Sequence, residues 1–399
     1  GPYHSGIDSR RYTHIKNQNM LSGHGGNVKQ ICDKCGLNPD EIIDFSASIN
    51  PLGCPDVVRK AVAEQFNDIQ HYPDSQCNDL RKAIAERTPC NESNVIIGNG
   101  SNELFYLIPR ALQPKKGVLL QPTFAEFSDA FSNSNIDVIE IINDDKDFPV
   151  INTNIPRLKS VEECMVFLCN PNNPTGQLTR KEDIIELVKD NPNRMIVIDE
   201  AFMDFIEDDE KYSVIKEAPL MDNLIVVRSL TKFYGFPGLR LGYLVSNESI
   251  VNKLMRYKEP WTVNTIAQVA GLAAINNKEF ATNTRQYVSV EKTFLYDGLT
   301  TIKGIHPFQP TVNFILVRIE DSKKTSSAIQ DVLMKNNILI RNCSNFKGLD
   351  ETYFRVAVKT RKQNQKLLDA LKSVMDEVTS VEDSQKNNVP EFVADEIQG

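Results

Sequence analysis

The stretch VVRSLTKFYGFPGLRLGYLV, residues 226–245, places a lysine where it could act as a nucleophile. Lys232 follows an apolar run, and a second cation, Arg240, comes eight residues later among three glycines. An amine that is removed from water loses proton affinity, and the neutral amine of a lysine forms a Schiff base with a carbonyl compound. Because most lysines are simply solvated, this hypothesis depends on the groups that accompany Lys232.

Three further segments carry groups that suit an anionic, planar ligand. IIGNGSNELF places Gly100 between an apolar run and a helical pattern, where backbone N–H groups either bind phosphate or form a plain turn. MIVID ends in Asp199, whose carboxylate could cap a helix, bind a metal or hold a protonated ring nitrogen. LCNPNNPTG has Asn170 after an apolar run, and its two Asn-Pro units force an extended turn.

Together these groups match what pyridoxal phosphate requires of a protein. The cofactor needs a lysine for its aldehyde, an acid for its ring nitrogen, a hydrogen bond to its ring hydroxyl and a cup for its phosphate. Lys232, Asp199, Asn170 and the loop at Gly100 supply one group each. The hypothesis therefore requires a fold that brings four distant segments together.

The pattern of apolar runs predicts such a fold. Between about residues 55 and 270, short apolar runs alternate with helical patterns, which predicts an α/β domain with a mostly parallel sheet. Continuously apolar strands indicate that helices cover both faces of the sheet. Ligands of these sheets bind beyond the carboxyl ends of the strands, where the polar groups are expected. The predicted strands are 94–98, 117–121, 165–170, 195–199, 224–229 and 239–245, and the predicted helices are 55–66, 78–88, 102–112 and 180–190.

From about residue 280 the pattern changes to that of a smaller α+β lobe. Its predicted strands are 311–319, 338–342 and 353–358, and its predicted helices are 326–336 and 362–378. We therefore divide the chain into a tag or disordered arm, an N-terminal arm that is part of the small domain, a large cofactor-binding domain, a small C-terminal domain and an acidic tail. The corresponding ranges are 1–21, 22–54, 55–275, 276–375 and 376–399.

Composition argues against several classes of protein. A net charge of −8 over 399 residues offers no basic surface for nucleic acid. No apolar run approaches the ~20 residues that span a bilayer, so we expect no membrane segment and a cytoplasmic location. The eight dispersed cysteines are expected to be reduced thiols. CDKC (32–35) has the spacing of half a zinc site but no second pair, so we expect no metal.

In their order and spacing, NGSNE, NPNNPTG, DEAF and SLTKFYGFPGLRLG resemble the fold-type I pyridoxal-phosphate enzymes of aminotransferase class I/II. The resemblance covers roughly residues 22–375 and implies a large domain with a mostly parallel, seven-stranded type of sheet plus a smaller α+β domain. It is nearest to the threonine-phosphate decarboxylases of cobamide (vitamin B12) biosynthesis, which are related to histidinol-phosphate aminotransferases. The matching segments are HGGN, DFSASINPLG, PTFAEF, PWTVN and ILIRNCSNFKGLD. Phe202, where many aminotransferases have a tyrosine, also resembles that branch.

The resemblance implies roles for individual residues. Lys232 would bond to the cofactor's aldehyde, and Asp199 would pair with its ring nitrogen. Asn170 would hydrogen-bond the ring hydroxyl, and Phe124 would stack on the ring. Tyr72 would reach the cofactor phosphate of a neighbouring subunit, which implies a homodimer. The phosphate cup is implied for Gly100, Ser101, Asn102, Ser229 and Arg240, and substrate binding for His24, Asn27, Asn170, Arg341 and Arg355.

The function implied is decarboxylation of an O-phospho-amino acid. L-threonine O-3-phosphate would give (R)-1-amino-2-propanol O-2-phosphate, the linker of the cobamide nucleotide loop, and L-serine O-phosphate would give ethanolamine phosphate, the linker of norcobamides. These substrates differ by one methyl group, which is worth only ~1–3 kcal/mol in a pocket. The alternatives are an aminotransferase of the histidinol-phosphate type and a non-catalytic protein that has kept the cofactor-binding fold. An intact Lys232 and Asp199 argue against the second.

Overall fold

The computed structural model describes residues 25–143, 148 and 164–376. The arm at 1–21, His24 and the tail beyond Asp376 lie outside these residues. The strands within the described ranges are β1 (Ile43–Asp44), β2 (Val95–Gly98), β3 (Lys116–Gln121), β4 (Val138–Ile142), β5 (Cys164–Cys169), β6 (Met195–Asp199), β7 (Leu224–Ser229), β8 (Gly242–Val245), β9 (Ile305–Pro307), β10 (Phe314–Ile319), β11 (Ile338–Leu339), β12 (Arg341–Asn342) and β13 (Tyr353–Ala357).

The α-helices of the same ranges alternate with these strands through most of the chain. They are α1 (Val28–Cys35), α2 (Asp56–Gln65), α3 (Asn78–Arg87), α4 (Gly100–Leu112), α5 (Glu126–Asn133), α6 (Lys181–Asp190), α7 (Glu248–Met255), α8 (Thr265–Ile275), α9 (Lys278–Thr300), α10 (Ser326–Lys335) and α11 (Arg361–Asp376). As far as the chain is described, none of its helices combines the length and the apolar character that crossing a membrane needs.

A seven-stranded sheet in the order β2-β8-β7-β6-β5-β3-β4 forms the centre of the molecule. The pairs among β7, β6, β5, β3 and β4 are parallel, whereas β8 runs antiparallel to both β2 and β7. This topology confirms the predicted α/β fold with a mostly parallel sheet. It also puts the carboxyl ends of β2, β5, β6 and β7 at one edge.

Successive residues of the central strands pack into two separate cores. In β7, Leu224 and Val226 pack with residues of α3, α6 and α8, while Ile225 and Val227 pack with residues of α4, α5 and α7. All six residues of β7 are buried. Because both faces of the sheet are covered, apolar side chains are favoured at most strand positions, which explains the apolar run from Leu224 to Val227. The buried Arg228 that follows is paired with Glu200 and Asp204.

A second, antiparallel sheet in the order β12-β13-β10-β9 follows later in the chain. Its core includes Leu295 and Leu299 of α9 together with residues of α10 and α11. The segment near the N-terminus belongs to the same part of the molecule, because β1 pairs with β11 and Phe45 is buried in this core.

Several strands differ from the prediction, and β1, β4 and β9 were not predicted at all. The strand predicted at 239–245 is wrong in its first half: Pro237–Leu239 form a 3₁₀ turn, Arg240 has a left-handed backbone with φ of 60°, and β8 begins at Gly242. The strand predicted at 338–342 is two strands, since Ile338–Leu339 pair with β1 and Arg341–Asn342 pair with β13. The edge strand β4 was not predicted, because its VIEII sequence includes a glutamate and is only partly buried.

The packing of the central sheet predicts a large loss of stability for Leu119→Ala. Leu119 is fully buried opposite Phe167 of the neighbouring strand, and leucine truncations in cores cost ~2–5 kcal/mol. Urea unfolding of the apoprotein should show this decrease in the free energy of unfolding. Leu220→Ala is the matched control, because Leu220 is 84% exposed and its truncation should change stability by less than ~0.5 kcal/mol. Equal effects of the two changes would contradict the assignment of the core.

Candidate active site

A cavity of about 480 Å³ lies at the carboxyl ends of β2 and β7. Its walls come from the start of α4, the turn after β7 and the strands β12 and β13. Most of the site residues predicted from the sequence line this cavity. These are Gly100, Ser101, Asn102, Phe124, Ser229, Lys232, Arg240, Arg341 and Arg355.

One end of the cavity is built to hold an anion. Gly100 opens α4 with φ of 73°, and a Cβ atom there would lie 2.7 Å from the guanidinium of Arg240. A Cβ atom at Gly242 would lie 2.6 Å from the backbone nitrogen of Ser101. Because Gly100 and Gly242 have no side chains, the guanidinium of Arg240, the start of β8 and the N–H groups at the start of α4 can approach one another closely. Such a helix start beside a guanidinium is suited to phosphate.

Two hydroxyl groups complete this anion-binding end. Ser229 and Thr231 both line the cavity, and their side-chain oxygens are 3.1 Å apart. Thr231 was not selected from the sequence, although it stands between Ser229 and Lys232 in SLTK. Its place follows from the turn after β7, in which Ser229, Thr231 and Lys232 line the cavity while Leu230 packs in the core.

Lys232 extends between two aromatic rings. Its Nζ atom lies 4.5 Å from the ring centre of Phe202 and 5.6 Å from that of Phe124. Burial lowers the pKa of Lys232, and Arg355 and Arg240 lower it further, while Asp199 and Cys169 oppose the shift. A lower pKa increases the fraction of neutral amine, which is the nucleophilic form.

Asp199 ends β6 beneath the cavity and is buried, although it is not part of the cavity wall. Its Oδ1 accepts a hydrogen bond of 2.9 Å from the backbone of Ala201, and its Oδ2 accepts one of 3.8 Å from the thiol of Cys169. Burial raises the pKa of Asp199 to about 6, and Lys232 opposes this shift. A buried carboxylate of this kind gains stability from a cationic N–H group placed against it.

The side chain of Asn170, predicted to bind the cofactor's ring hydroxyl and the substrate, does not line the cavity. Its side chain donates to the carbonyl of Thr179 at 3.0 Å and accepts from the backbone nitrogen of Thr179 at 2.8 Å. Asn170 thus closes the turn that follows β5. Asn173, three residues further along the same motif, lines the cavity instead and accepts a hydrogen bond from Arg355. The second Asn-Pro unit was the signal for Asn173, but only the path of the turn distinguishes the two asparagines.

Two arginines face the cavity from β12 and β13. Arg355 donates to Asn173 and to the carbonyl of Ser46 at 2.9 Å, and its buried Nε has no hydrogen-bond partner within the described residues. Arg341 donates to Asn345 at 3.0 Å and lies over the ring of Phe346. Burial lowers the pKa of both groups, to about 10 for Arg341. Guanidinium groups nevertheless remain protonated in proteins near neutral pH.

Two further predicted residues, Tyr72 and Asn27, do not line the cavity. Tyr72 is 83% exposed, and its ring centre lies 5.3 Å from that of Trp261. Asn27 precedes α1, while its neighbours Gly25 and Gly26 do line the cavity. His24 lies outside the described residues.

A mostly parallel sheet with a phosphate-binding helix start, a desolvated lysine and a buried aspartate at one edge defines a fold-type I pyridoxal-phosphate enzyme. The model of the aminotransferase class I and II family matches residues 40–371. The chain therefore belongs to this family, whose cofactor is pyridoxal 5′-phosphate. The residues present fit that cofactor, because Gly100 and Gly242 let Arg240 and the N–H groups of the helix start come together as a phosphate site. The buried Asp199 carboxylate would pair with its ring nitrogen.

Individual relatives cover nearly the whole described chain. A Caldanaerobacter subterraneus protein with the name "Putative threonine-phosphate decarboxylase" is 39% identical over 89% of this chain and 94% of its own length. The threonine-phosphate decarboxylase of Salmonella typhimurium is 33% identical over 89% of this chain and 97% of its own. The crystal structure of a histidinol-phosphate aminotransferase from Clostridium acetobutylicum superposes with a TM-score of 0.77, at 30% identity, over 83% of this chain and 98% of that one.

The raised pKa of Asp199 predicts that Asp199→Asn stabilises the apoprotein. With a pKa of about 6, the folded chain binds a proton that the unfolded chain releases near pH 4, so stability falls as the pH rises between these values. At pH 8 the ionised side chain costs on the order of 3 kcal/mol, and at pH 5 roughly half of that. Urea unfolding of apo Asp199→Asn should show a gain in stability at pH 8 that shrinks at pH 5.

Asp297→Asn is the control for this experiment, since Asp297 is exposed on α9. Its substitution should leave stability unchanged at both pH values. A loss of stability in Asp199→Asn at pH 8, or a gain that does not depend on pH, would contradict the conclusion that burial of this carboxylate outweighs its favourable contacts.

Proposed function

We propose that the chain is a pyridoxal-phosphate-dependent carboxy-lyase that acts on an O-phosphorylated amino acid. L-threonine O-3-phosphate and L-serine O-phosphate are the two substrates of this class, and they yield 1-amino-2-propanol phosphate and ethanolamine phosphate. The observation that carries the proposal is the pair of buried arginines, Arg341 and Arg355, that line the same cavity as Lys232. The names of the two relatives that are 39% and 33% identical support it.

The two arginines favour a substrate with two anionic groups. Both are buried, and the charge of Arg355 lowers the pKa of Arg341 and of Lys232, in addition to the larger effect of their burial. Asp44 lines the same cavity and offsets part of this positive charge. A phospho-amino acid brings a carboxylate and a phosphate, and charge-assisted hydrogen bonds to both would offset the repulsion between the arginines.

The reaction breaks the bond between Cα and the carboxylate carbon, releases carbon dioxide and returns a proton to Cα. The bound cofactor supplies an electron sink for the pair of electrons that this bond leaves behind. Arg355 would hold the carboxylate, with its unpartnered Nε available as a donor. Asn173 would share this task by orienting Arg355. Lys232 Nζ would deliver the proton to Cα, and the rings of Phe124 and Phe202 would keep water away from it.

An aminotransferase acting on histidinol phosphate is the second candidate function. The 30% identity to a solved histidinol-phosphate aminotransferase favours it. Histidinol phosphate carries a phosphate but no carboxylate, so it would use one of the two arginines. Phe202 distinguishes the candidates further, since its ring beside Lys232 cannot donate a hydrogen bond to the cofactor's ring hydroxyl.

Product analysis tests the choice between these functions. Purified enzyme loaded with pyridoxal phosphate is incubated with threonine phosphate, serine phosphate, or histidinol phosphate plus 2-oxoglutarate, and carbon dioxide, the amine and glutamate are measured. We expect carbon dioxide and a phosphorylated amine in equal amounts from at least one phospho-amino acid, with a loss of at least 10³-fold in Lys232→Ala. Rapid formation of glutamate without carbon dioxide would contradict the decarboxylase.

We further propose that the enzyme is a homodimer in which Tyr72 reaches the partner's cofactor phosphate. The exposure of Tyr72 on its own chain and its contact with the exposed Trp261 support this arrangement. The product would supply the linker of a cobamide nucleotide loop, with the methylated linker from threonine phosphate and the unmethylated one from serine phosphate. We place this activity in the cytoplasm.

Mixing two inactive variants tests the shared site. In a hybrid dimer of Tyr72→Ala and Lys232→Ala subunits, the subunit that keeps Lys232 would receive Tyr72 from its partner. We expect the mixture, after dissociation and reassociation, to recover up to roughly a quarter of wild-type activity, while each variant alone stays well below that level. No recovery, with hybrid dimers demonstrated by mass spectrometry, would contradict a role for Tyr72 across the interface.

A further inference from the structure

A carboxylate lies on the helix start whose N–H groups are expected to bind the cofactor's phosphate. Glu103 lies in the first turn of α4, and its Oε1 accepts a hydrogen bond of 2.9 Å from the backbone nitrogen of Asn99. The same helix start offers Gly100 and Ser101 to the cavity. A negative charge there repels a phosphate dianion and opposes the attraction that a helix N-terminus exerts on anions. Phosphate binding at this end of the cavity therefore requires a nearby cation that neutralises Glu103.

Lys258 supplies this cation, and Thr262 links it to Glu103 by hydrogen bonds. Lys258 Nζ lies 3.1 Å from Oε1 of Glu103 and donates a hydrogen bond of 2.6 Å to the hydroxyl of Thr262. The same hydroxyl donates a hydrogen bond of 2.8 Å to Glu103 Oε1. The side chains of Lys258 and Glu103 are only 9% and 21% exposed, so this ion pair is far less screened than one on the surface.

The cation comes from a segment remote in sequence. Lys258 and Thr262 belong to the connection between α7 and α8, more than 150 residues after Glu103. The same connection contains Trp261, whose backbone φ of 61° is a conformation that bulky residues rarely adopt. Contacts at both ends of this short loop hold it against α4, and the ion pair is one of them.

We propose that Lys258 is a positioning residue for the cofactor phosphate: it neutralises Glu103 and so preserves the affinity of the helix start for an anion. The role is indirect, because Lys258 does not line the cavity and acts through Glu103. It holds for whichever reaction the enzyme performs, so failure of the decarboxylase assignment leaves it intact.

A double-mutant cycle measured by cofactor binding tests this role. Apoenzyme variants Lys258→Met, Glu103→Gln and the double variant are titrated with pyridoxal phosphate, and the dissociation constant is read from the cofactor's absorbance. We expect Lys258→Met to raise this constant at least fivefold, because Glu103 is left as an unpaired anion. The double variant should stay within about twofold of the wild type, since it contains no unpaired charge at this pair. Glu103→Gln, which leaves Lys258 as an unpaired cation, should bind pyridoxal phosphate at least as tightly as the wild type.

Pyridoxal, which lacks the phosphate, separates an electrostatic effect from a distorted site. Its affinity should be the same in all four proteins, because Glu103 acts only on the phosphate. Weakening of pyridoxal and pyridoxal phosphate alike, or a double variant as weak as Lys258→Met, would overturn the proposal and indicate that the contacts merely hold the loop. Lys258→Arg, which keeps the charge, should bind pyridoxal phosphate within about twofold of the wild type.

The ion pair between Lys181 and Glu217 supplies the matched control. Its atoms are 2.8 Å apart with side chains 23% and 29% exposed, and neither residue lines the cavity. Lys181→Met should leave the dissociation constant of pyridoxal phosphate unchanged. If Lys258→Met does not fold, Lys258→Gln removes the charge while keeping a donor for Thr262, and the same rise in the constant is expected for it. Unchanged phosphate binding in that variant would overturn the proposal.

Discussion

The site depends on the removal of two opposite charges from water at neighbouring strand ends. Lys232 follows β7 and Asp199 ends β6, and the two strands are adjacent in the sheet. Burial moves both pKa values toward the neutral forms, and the attraction between the groups opposes both shifts. Burial therefore disfavours the charged form of each group. A cofactor with an aldehyde and a basic ring nitrogen would bond to the amine and pair with the carboxylate, which offsets this cost. Such opposed shifts in one cleft are typical of active sites.

The surrounding elements place anion-binding groups around Lys232 and Asp199. The parallel order of the central sheet puts the carboxyl ends of β2, β5, β6 and β7 on one edge. Because β8 runs antiparallel, it begins at this edge, and Arg240 just before it lies beside the start of α4. The second sheet adds Arg341 and Arg355 from the opposite wall. Positive groups thus surround the lysine from two sides, which suits a phosphorylated cofactor beside a phosphorylated substrate. The ion pair of Glu103 with Lys258 keeps the intervening helix start free of uncompensated negative charge.

Much of this arrangement was predictable from the sequence because it depends on local patterns of apolar and polar residues. Continuous apolar runs predicted the central strands, and polar residues after each run predicted the edge that carries Lys232. The choice between Asn170 and Asn173 was not predictable, because it depends on how the turn after β5 folds back to Thr179. The backbone of Arg240 was missed for a similar reason, since its left-handed conformation is set by the approach to Gly100. Lys258 was missed because its partner, Glu103 of the NGSNE motif, is distant in sequence, and Lys258 was assigned to no motif.

The identity of the lysine that bonds to the cofactor is the most direct test of the account. Borohydride reduction of the loaded enzyme makes the link between cofactor and lysine permanent, and peptide mass spectrometry then locates the added mass. The account predicts one stoichiometric modification, on Lys232, and none in Lys232→Ala. Modification of a different lysine, or unchanged stoichiometric labelling of Lys232→Ala, would contradict the assignment of this cavity as the active site.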